Sequence, residues 1–530
     1  MKNDITASKR GRAAVCLAAA VLILAGEFLL PLSEGSGATA GRHAFAASKA
    51  PKRKIKGRVN ALSYKMKLRL VPKKDRLYET VTIRFRNATN RSLRRIYLRS
   101  MAAPALKYAK KEYASPANSR KKCRFGHVTR TGTKIRLFRK FSKDRSVIRV
   151  TLDRKLAPGE KGSVTVRMWT DIPARQDRFG VHRTKRGKLY LLSFCFPYLA
   201  DNRNGKWYLD PFFDDGESRK FDLAKYDVTF RAPKKYRVAM TGLRSKKGGV
   251  SKAKTGSIRD YAIAACKFMR RETFHAGGVK FNNYYLLNKH SRKYRKIVKM
   301  AARDSVRAFN KNIGKCPVKE ITIVHALFGF MFGGMEYPGF IMVNGSSFFD
   351  DGNPKYGWIG AAEGVAHEIG HQWFYAAVGN REYREGWIDE GFTTFATNEF
   401  YVGRKMASMR YAYKKEGMRY SLKRFRKNRA ADLRYAQKSK KKTYVNIPPN
   451  RYGKDQSYGD AEYYNGDLFL QELRQVMGKK TFRKFFRGYY RRFYRKRATT
   501  KRILRYIRKY APGPKARRVI RRYINMKYVK

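Results

Sequence analysis

An α+β multidomain fold is predicted, with an N-terminal β-sandwich or saddle-shaped sheet pair followed by a mainly helical domain. Three observations predict it. Apolar residues alternate at period two through much of residues 57–285. The period changes to three- and four-residue steps from Ser291 onward. The length, 530 residues, suits two to four domains. Hydrophobic residues make up 43% and aromatics 14%, a globular composition that excludes a disordered chain.

Residues 1–46 read as a segment outside the fold. Lys2, Lys9, Arg10 and Arg12 form a positive start, an apolar run spans Ala13 to Ala25, and a small-residue region ends in Ala44-Phe45-Ala46. That is the pattern of a secretory signal with an A-x-A cleavage site. The uninterrupted apolar run falls short of the roughly 20 residues that span a bilayer, which argues against an uncleaved anchor. An exported protein, secreted or held at the cell surface, is expected. Residues 47–56 are Lys-rich and read as a linker. Cys123, Cys195, Cys266 and Cys316 follow, none in a C-x-x-C pair, so a Cys-based zinc site is disfavoured. Export permits disulfides between them; isolated buried thiols are the alternative.

In the β-rich region, Tyr64, Met66, Leu68 and Leu70 alternate with Lys65, Lys67 and Arg69, and Val81, Ile83 and Phe85 alternate with Thr82, Arg84 and Arg86. One apolar and one basic face mark half-buried strands. Turn signals stand at Ala88-Thr89-Asn90, Pro158-Gly159 and Thr241-Gly242. From residue 286 a second domain is expected. Tyr294, Ile297, Val298, Ala301, Ala302, Ser305, Val306 and Phe309 form one face of a helix over 291–313. A strand follows at Glu320 to Val324, then a Gly-rich aromatic stretch from Phe328 to Phe340. Helices are expected over 360–378 and 388–402. The remainder is largely helical, with a break at Pro512-Gly513-Pro514.

The chemistry lies in the second domain. His367-Glu368-Ile369-Gly370-His371 is an H-E-x-x-H sequence in a chain with only eight histidines. On a helix, positions i and i+4 share a face, so both imidazoles can reach one zinc ion. Glu368 is rotated about 100° from His367, placed to act on water and not on the metal. Two exposed histidines with no metal would be the bland alternative. Glu390, 19 positions after His371 in Trp387-Ile388-Asp389-Glu390-Gly391-Phe392, offers the third ligand that a catalytic zinc needs. Upstream, Gly333-Gly334-Met335-Glu336 can let a substrate backbone approach closely, with Glu336 as an anchor for an ammonium group.

These motifs together resemble the aminopeptidase N and leukotriene-hydrolase type of gluzincin metallopeptidase, and the likeness covers most of the chain after residue 46. The β-rich region, including Gly205-Lys206-Trp207-Tyr208 and Val238-Ala239-Met240-Thr241-Gly242, resembles that family's first domain with less specificity. The resemblance implies a thermolysin-like catalytic domain over 286–478 and removal of N-terminal residues from peptides. It implies one Zn2+ on His367, His371 and Glu390, with Glu368 as general base. It also implies that Glu336 holds the α-amino group and that Gly333, Gly334 and Met335 align the substrate. The family's oxyanion tyrosine sits in a Tyr-x-x-Gly setting, which Tyr463-Tyr464-Asn465-Gly466 matches through Tyr463; Tyr464 and Tyr458 are competitors. Two departures stand out. Tyr337 occupies a position that is usually Asn, and the large C-terminal helical domain of longer members is absent.

The chain carries 122 Lys+Arg against 39 Asp+Glu, a formal charge of +83. Residues 479–530 hold 22 Lys+Arg and no acid, with Phe482, Phe485, Phe486, Tyr489, Tyr490 and Phe493 at helical spacing. That stripe reads as core packing, and 479–530 as basic helices packed on the catalytic domain. No nucleic-acid motif accompanies the charge. For an exported protein, anionic cell-envelope polymers or lipid head groups are the expected partners beside peptides. Two rivals remain: a zinc endopeptidase on the same scaffold, and a polyanion-binding envelope protein with a vestigial metal site.

Overall fold

The computed structural model describes residues 55–529, apart from 113–115, 176, 214–215, 217–221, 330–332, 351, 440–443 and 453–456. The signal-like segment and nearly all of the expected linker lie outside the described residues.

The alternating sequence builds a large twisted sheet of eleven strands. At its centre Gly57–Val71 pairs antiparallel with Arg76–Thr89, from Gly57↔Thr89 to Val71↔Arg76, with a bulge between Ala61 and Ser63. Ala224–Arg231 joins on the other side, parallel to Gly57–Val71. Because side chains alternate across a strand, Tyr64, Met66, Leu68, Val81, Ile83 and Val166 all fall on one buried face. That face packs on a four-stranded sheet of Arg237–Met240, Ala262–Cys266, Gly187–Ser193 and Phe179–Thr184, through Tyr190, Leu192, Tyr261 and Ile263. The expected turns fall between strands, at the ends of Arg76–Thr89, Val147–Leu156 and Arg237–Met240.

The four-stranded sheet is apolar on both faces. Leu189, Leu191, Ala262 and Ala264 on its far side meet Val324, Met335, Tyr337 and Met342 of a five-stranded sheet. The strand order there is Met269–Ala276, Val279–Leu286, Glu320–Ala326, Phe340–Asn344, Gly334–Tyr337. The first two strands precede the boundary expected at residue 286, yet they hydrogen-bond into this sheet, Val279–Leu286 running parallel to Glu320–Ala326. By pairing, both strands belong to the five-stranded sheet, an assignment periodicity cannot make, since the strands before them look alike.

Helices cover the remaining face of the five-stranded sheet. Ser291–Asn312 forms as its apolar face requires, and Trp358–Gly370 lies beside it in one core with Ile321, Ile323 and Ile341. The helix expected over 360–378 stops at Gly370. Gln372–Ala377 is a distorted segment with non-helical φ/ψ at Phe374 and Tyr375. Packing overrides helix propensity there: Phe374 sits among Phe392, Phe486 and Tyr489, and the Tyr375 hydroxyl donates to Asp260 at 3.2 Å. The helix expected over 388–402 is regular only from Glu390 to Ala396, then widens through Thr397–Val402.

The basic C-terminal region folds as Asn465–Phe493, broken at Gly478, then Thr500–Tyr510 and Pro514–Tyr523 on either side of the Pro-Gly-Pro break. Its aromatic stripe is buried in one core with the helices Ser291–Asn312 and Trp358–Gly370, with Tyr489 stacked on Phe392 at 4.3 Å. Most cations of that segment occupy the opposite, solvated face, while Arg497 is drawn in to Asp201 and Asp222. Cys123, Cys195, Cys266 and Cys316 are all free thiols, so no disulfide joins them. No described helix is long and apolar enough to cross a membrane.

Candidate metal centre and cleft

The helix Trp358–Gly370 carries His367, and His371 closes its last turn while still in the right-handed helical region. Both rings leave the same side, 4.6 Å apart between centroids. The short helix Glu390–Ala396 comes back against them. Gly391 makes this approach feasible: its Cα faces Gly466 across the helix pair, and a Cβ on Gly391 would lie 2.9 Å from the Gly466 Cα. That contact also brings in Tyr463, three residues before Gly466.

Three atoms converge. His367 Nε2 lies 3.1 Å from Glu390 Oε2 and 3.0 Å from His371 Nε2, and His371 Nε2 lies 3.2 Å from Glu390 Oε2. Tetrahedral ligands about 2.0–2.1 Å from a zinc ion would stand roughly 3.3 Å from one another. The triangle therefore fits a zinc face closely. Its electrostatics fit as well. Burial pulls His371 down, but the Glu390 and Asp389 carboxylates outweigh it and hold the imidazole well above its ordinary pKa. Burial pushes Glu390 up, and His371 and His367 pull it to the far acid side. Burial keeps His367 low, which leaves it a neutral imidazole fit to ligate. Two carboxylates around two imidazoles favour a cation at the shared point.

The remaining expected residues surround this triangle. Glu368 is buried, and a Cβ on Gly334 would stand 2.5 Å from its Oε1, so glycine at 334 is what lets the edge strand lie on the carboxylate. Glu336 shares a strand face with Gly334, while Met335 and Tyr337 point into the core between the sheets. Carboxylate and imidazole atoms of Glu336, Glu368 and His371 all lie within 4.8 Å of one another. Tyr463 donates to Glu390 Oε1 at 2.7 Å, and its ring stacks on His367 at 5.7 Å. Burial and the adjacent Glu390 raise its pKa well above the ordinary value, so it stays a neutral donor. Of the competitors, Tyr458 meets the Tyr463 ring at 6.1 Å, and Tyr464 lines the neighbouring cavity. Gly333 lines the cleft beside Gly334.

The family model described as the peptidase family M1 domain matches residues 309–523. Aminopeptidase O of Rattus norvegicus is 24% identical over 129 residues, 22% of this chain and 16% of that protein. Aminopeptidase B of Homo sapiens is 26% identical over 149 residues, 28% of this chain and 21% of that protein. The match thus spans about a fifth of the length of these relatives or less. Among solved structures, an M1 zinc metallopeptidase from Deinococcus radiodurans superposes with a TM-score of 0.57 at 16% identity, covering 89% of this chain and 94% of that one. Yeast LTA4 hydrolase in complex with bestatin gives 0.58 at 13% identity, covering 90% and 69%. At such identities the likeness is one of fold, and it extends over both regions of the chain.

Within the matched region, two supporting residues escaped sequence reasoning. Asp389 Oδ1 accepts from His371 Nδ1 at 2.6 Å, which fixes the tautomer that turns the Nε2 lone pair to the metal point. Its adjacency to Glu390 was the available signal. Gln372 accepts from the Gly339 amide at 2.8 Å and donates to the Tyr337 carbonyl at 3.1 Å, tying the strand that bears Glu336 to the histidine helix. Asp389→Asn should weaken zinc affinity by about 10–100-fold, the usual cost of losing a carboxylate behind a histidine ligand. Competition with a zinc chelator measures it; an unchanged affinity would show that Thr393 and the Phe374 carbonyl, both 3.2 Å from the same nitrogen, suffice.

Proposed function

We propose that the protein is an exported zinc aminopeptidase that hydrolyses N-terminal residues from peptides. The observation that carries this reading is the pair of buried carboxylates, Glu336 and Glu368, set beside the His367–His371–Glu390 triangle. A metal site alone would need neither. Zinc, held by the triangle, supplies Lewis acidity that polarises the scissile carbonyl and acidifies water.

The chain's own residues do the rest. Glu368 takes the proton of the attacking water and returns it to the departing amine. The Tyr463 hydroxyl donates to the oxygen on which negative charge develops. Glu336 holds the substrate ammonium group and so sets the register at one residue from the N-terminus. Gly334 and the edge strand Gly334–Tyr337 give the substrate backbone a partner. Release of the first residue from free peptides, abolished by a zinc chelator and restored by zinc, tests the proposal. Cleavage of blocked peptides at equal rates would favour the endopeptidase instead.

Export rests on the signal-like segment, and cell-envelope partners on the charge. The solvated face of the eleven-stranded sheet carries Lys65, Lys67, Arg69, Arg84, Arg167 and Lys252, which suits anionic polymers or lipid head groups. Retention on anionic vesicles should be strong at 0.01 M salt and largely lost at 1 M, where the screening length falls from about 30 to about 3 Å. Retention indifferent to salt would remove this part of the reading.

A further inference from the structure

We propose that the cavity beside the metal centre receives a cationic side chain, that of Lys or Arg, from the residue after the scissile bond, with Glu363 and Asp432 as its counter-charges. The inference rests on the peptidase reading above and adds a substrate class to it.

Position comes first. The cavity, of about 150 Å³, is lined by Gly333, Gly334, His367, Glu368 and Tyr463 on the catalytic side, but not by Met335 or Glu336. A peptide anchored at Glu336 and paired antiparallel with the edge strand runs towards Gly334 and then Gly333. Its second residue, on the leaving-group side, therefore stands over this cavity. Glu363 lies one helical turn before His367, on the same face of the helix, and so lines the cavity wall next to the metal point.

Charge comes second. The cavity wall holds three further carboxylates, Glu363, Asp432 and Asp467, and one guanidinium, Arg429. Arg429 is committed to Asp467, with Nη2 to Oδ1 at 2.9 Å, and Asn398 donates to the same carboxylate at 2.8 Å. Among the described residues, neither Glu363 nor Asp432 has a hydrogen bond or ion pair. Burial, with Glu416 adding to it, pushes Glu363 up to about 8, and burial raises Asp432 despite Arg429. Glu416 is itself occupied by the amide of Ile359 at 2.8 Å. In a chain with 122 basic residues against 39 acidic ones, two acids at one cavity whose one guanidinium is bonded to a third do not follow from composition.

Shape comes third. Tyr413, Phe425, Tyr464 and Leu468 supply an apolar wall for a methylene stem. A cavity near 150 Å³ is known to admit a benzene-sized group, which is enough for a butylammonium chain.

The test uses the zinc-loaded full chain and dipeptide amides with Leu first and Lys, Arg, Leu or Glu second. Lys and Arg are expected to exceed Leu in kcat/KM by about tenfold or more, and Glu to be the poorest, as a charge-assisted contact predicts. Glu363→Gln should lower the Lys-to-Leu ratio by about tenfold, and Glu363→Asp should recover part of it. A flat series, a preference for Leu or Glu, or an unchanged ratio in Glu363→Gln would overturn the inference while leaving the peptidase reading intact. Should Glu363→Gln not fold, the wild-type series decides alone. Should no peptide be cut, the peptidase reading fails, and calorimetry of n-butylammonium binding to wild type and Asp432→Asn still decides the cavity: weaker binding in the variant supports it, and equal binding overturns it.

Discussion

Glu368→Gln should remove nearly all turnover while zinc stays bound. The reasoning separates two functions that share one helix. His367 and His371 point to the metal point with Glu390, and none of the three close distances involves Glu368. Glutamine keeps the shape of glutamate, so the contact with Gly334 survives, but its amide cannot accept a proton at working pH. General acid–base catalysis contributes about 10²–10⁴-fold, and Glu368 is asked to act twice, on the water and on the leaving amine. A loss at the upper end, 10³-fold or more in kcat, is therefore expected, with one zinc per chain by metal analysis. A variant with its rate unimpaired would sink the mechanism. A variant without zinc would mean that Glu368 also helps to hold the centre.

How much of this was legible beforehand depends on the range of the interaction. The histidine pair needs only helical geometry, so His367 and His371 could be read from four-residue spacing. The strand face shared by Gly334 and Glu336 follows from period two. Glu390 could be read only as the third carboxylate ligand that a catalytic zinc needs, a reading the resemblance then supported, because nothing local says that a helix 19 residues on returns to the same point. What brings it back is the contact of Gly391 with Gly466, a pairing across 75 positions that no periodicity encodes. The same holds for the distorted turn after Gly370, where packing among Phe374, Phe392 and Tyr489 overrides a helical pattern. The membership of Met269–Ala276 and Val279–Leu286 in the five-stranded sheet is set by strand pairing and not by composition. Glu363 gave no signal at all. One turn before His367 it looks like any helical glutamate, and only the cavity sets it apart.

Glu336→Ala is expected to cost the enzyme its preference for free N-termini. Glu336 is buried at 3% exposure on the edge strand, within reach of Glu368 and His371 but outside the His367–His371–Glu390 triangle. In the proposed reaction its carboxylate would be the counter-charge for the substrate's ammonium group. Removing one partner of such a pair costs about 2–5 kcal/mol, or from about 30-fold to several thousand-fold in kcat/KM. The loss should fall on leucine anilide, whose amine is free, and largely spare an N-acetylated peptide that never used the anchor. Equal losses on both substrates would argue that Glu336 merely supports the fold and that the enzyme is an endopeptidase. The replacement of the usual Asn by Tyr337 does not weaken this expectation. The Tyr337 side chain is fully buried in the core between the two sheets, and only its backbone carbonyl reaches the catalytic side, where Gln372 binds it. Tyr337 thus packs between the sheets, and the carboxylate before it lies on the opposite face of the strand.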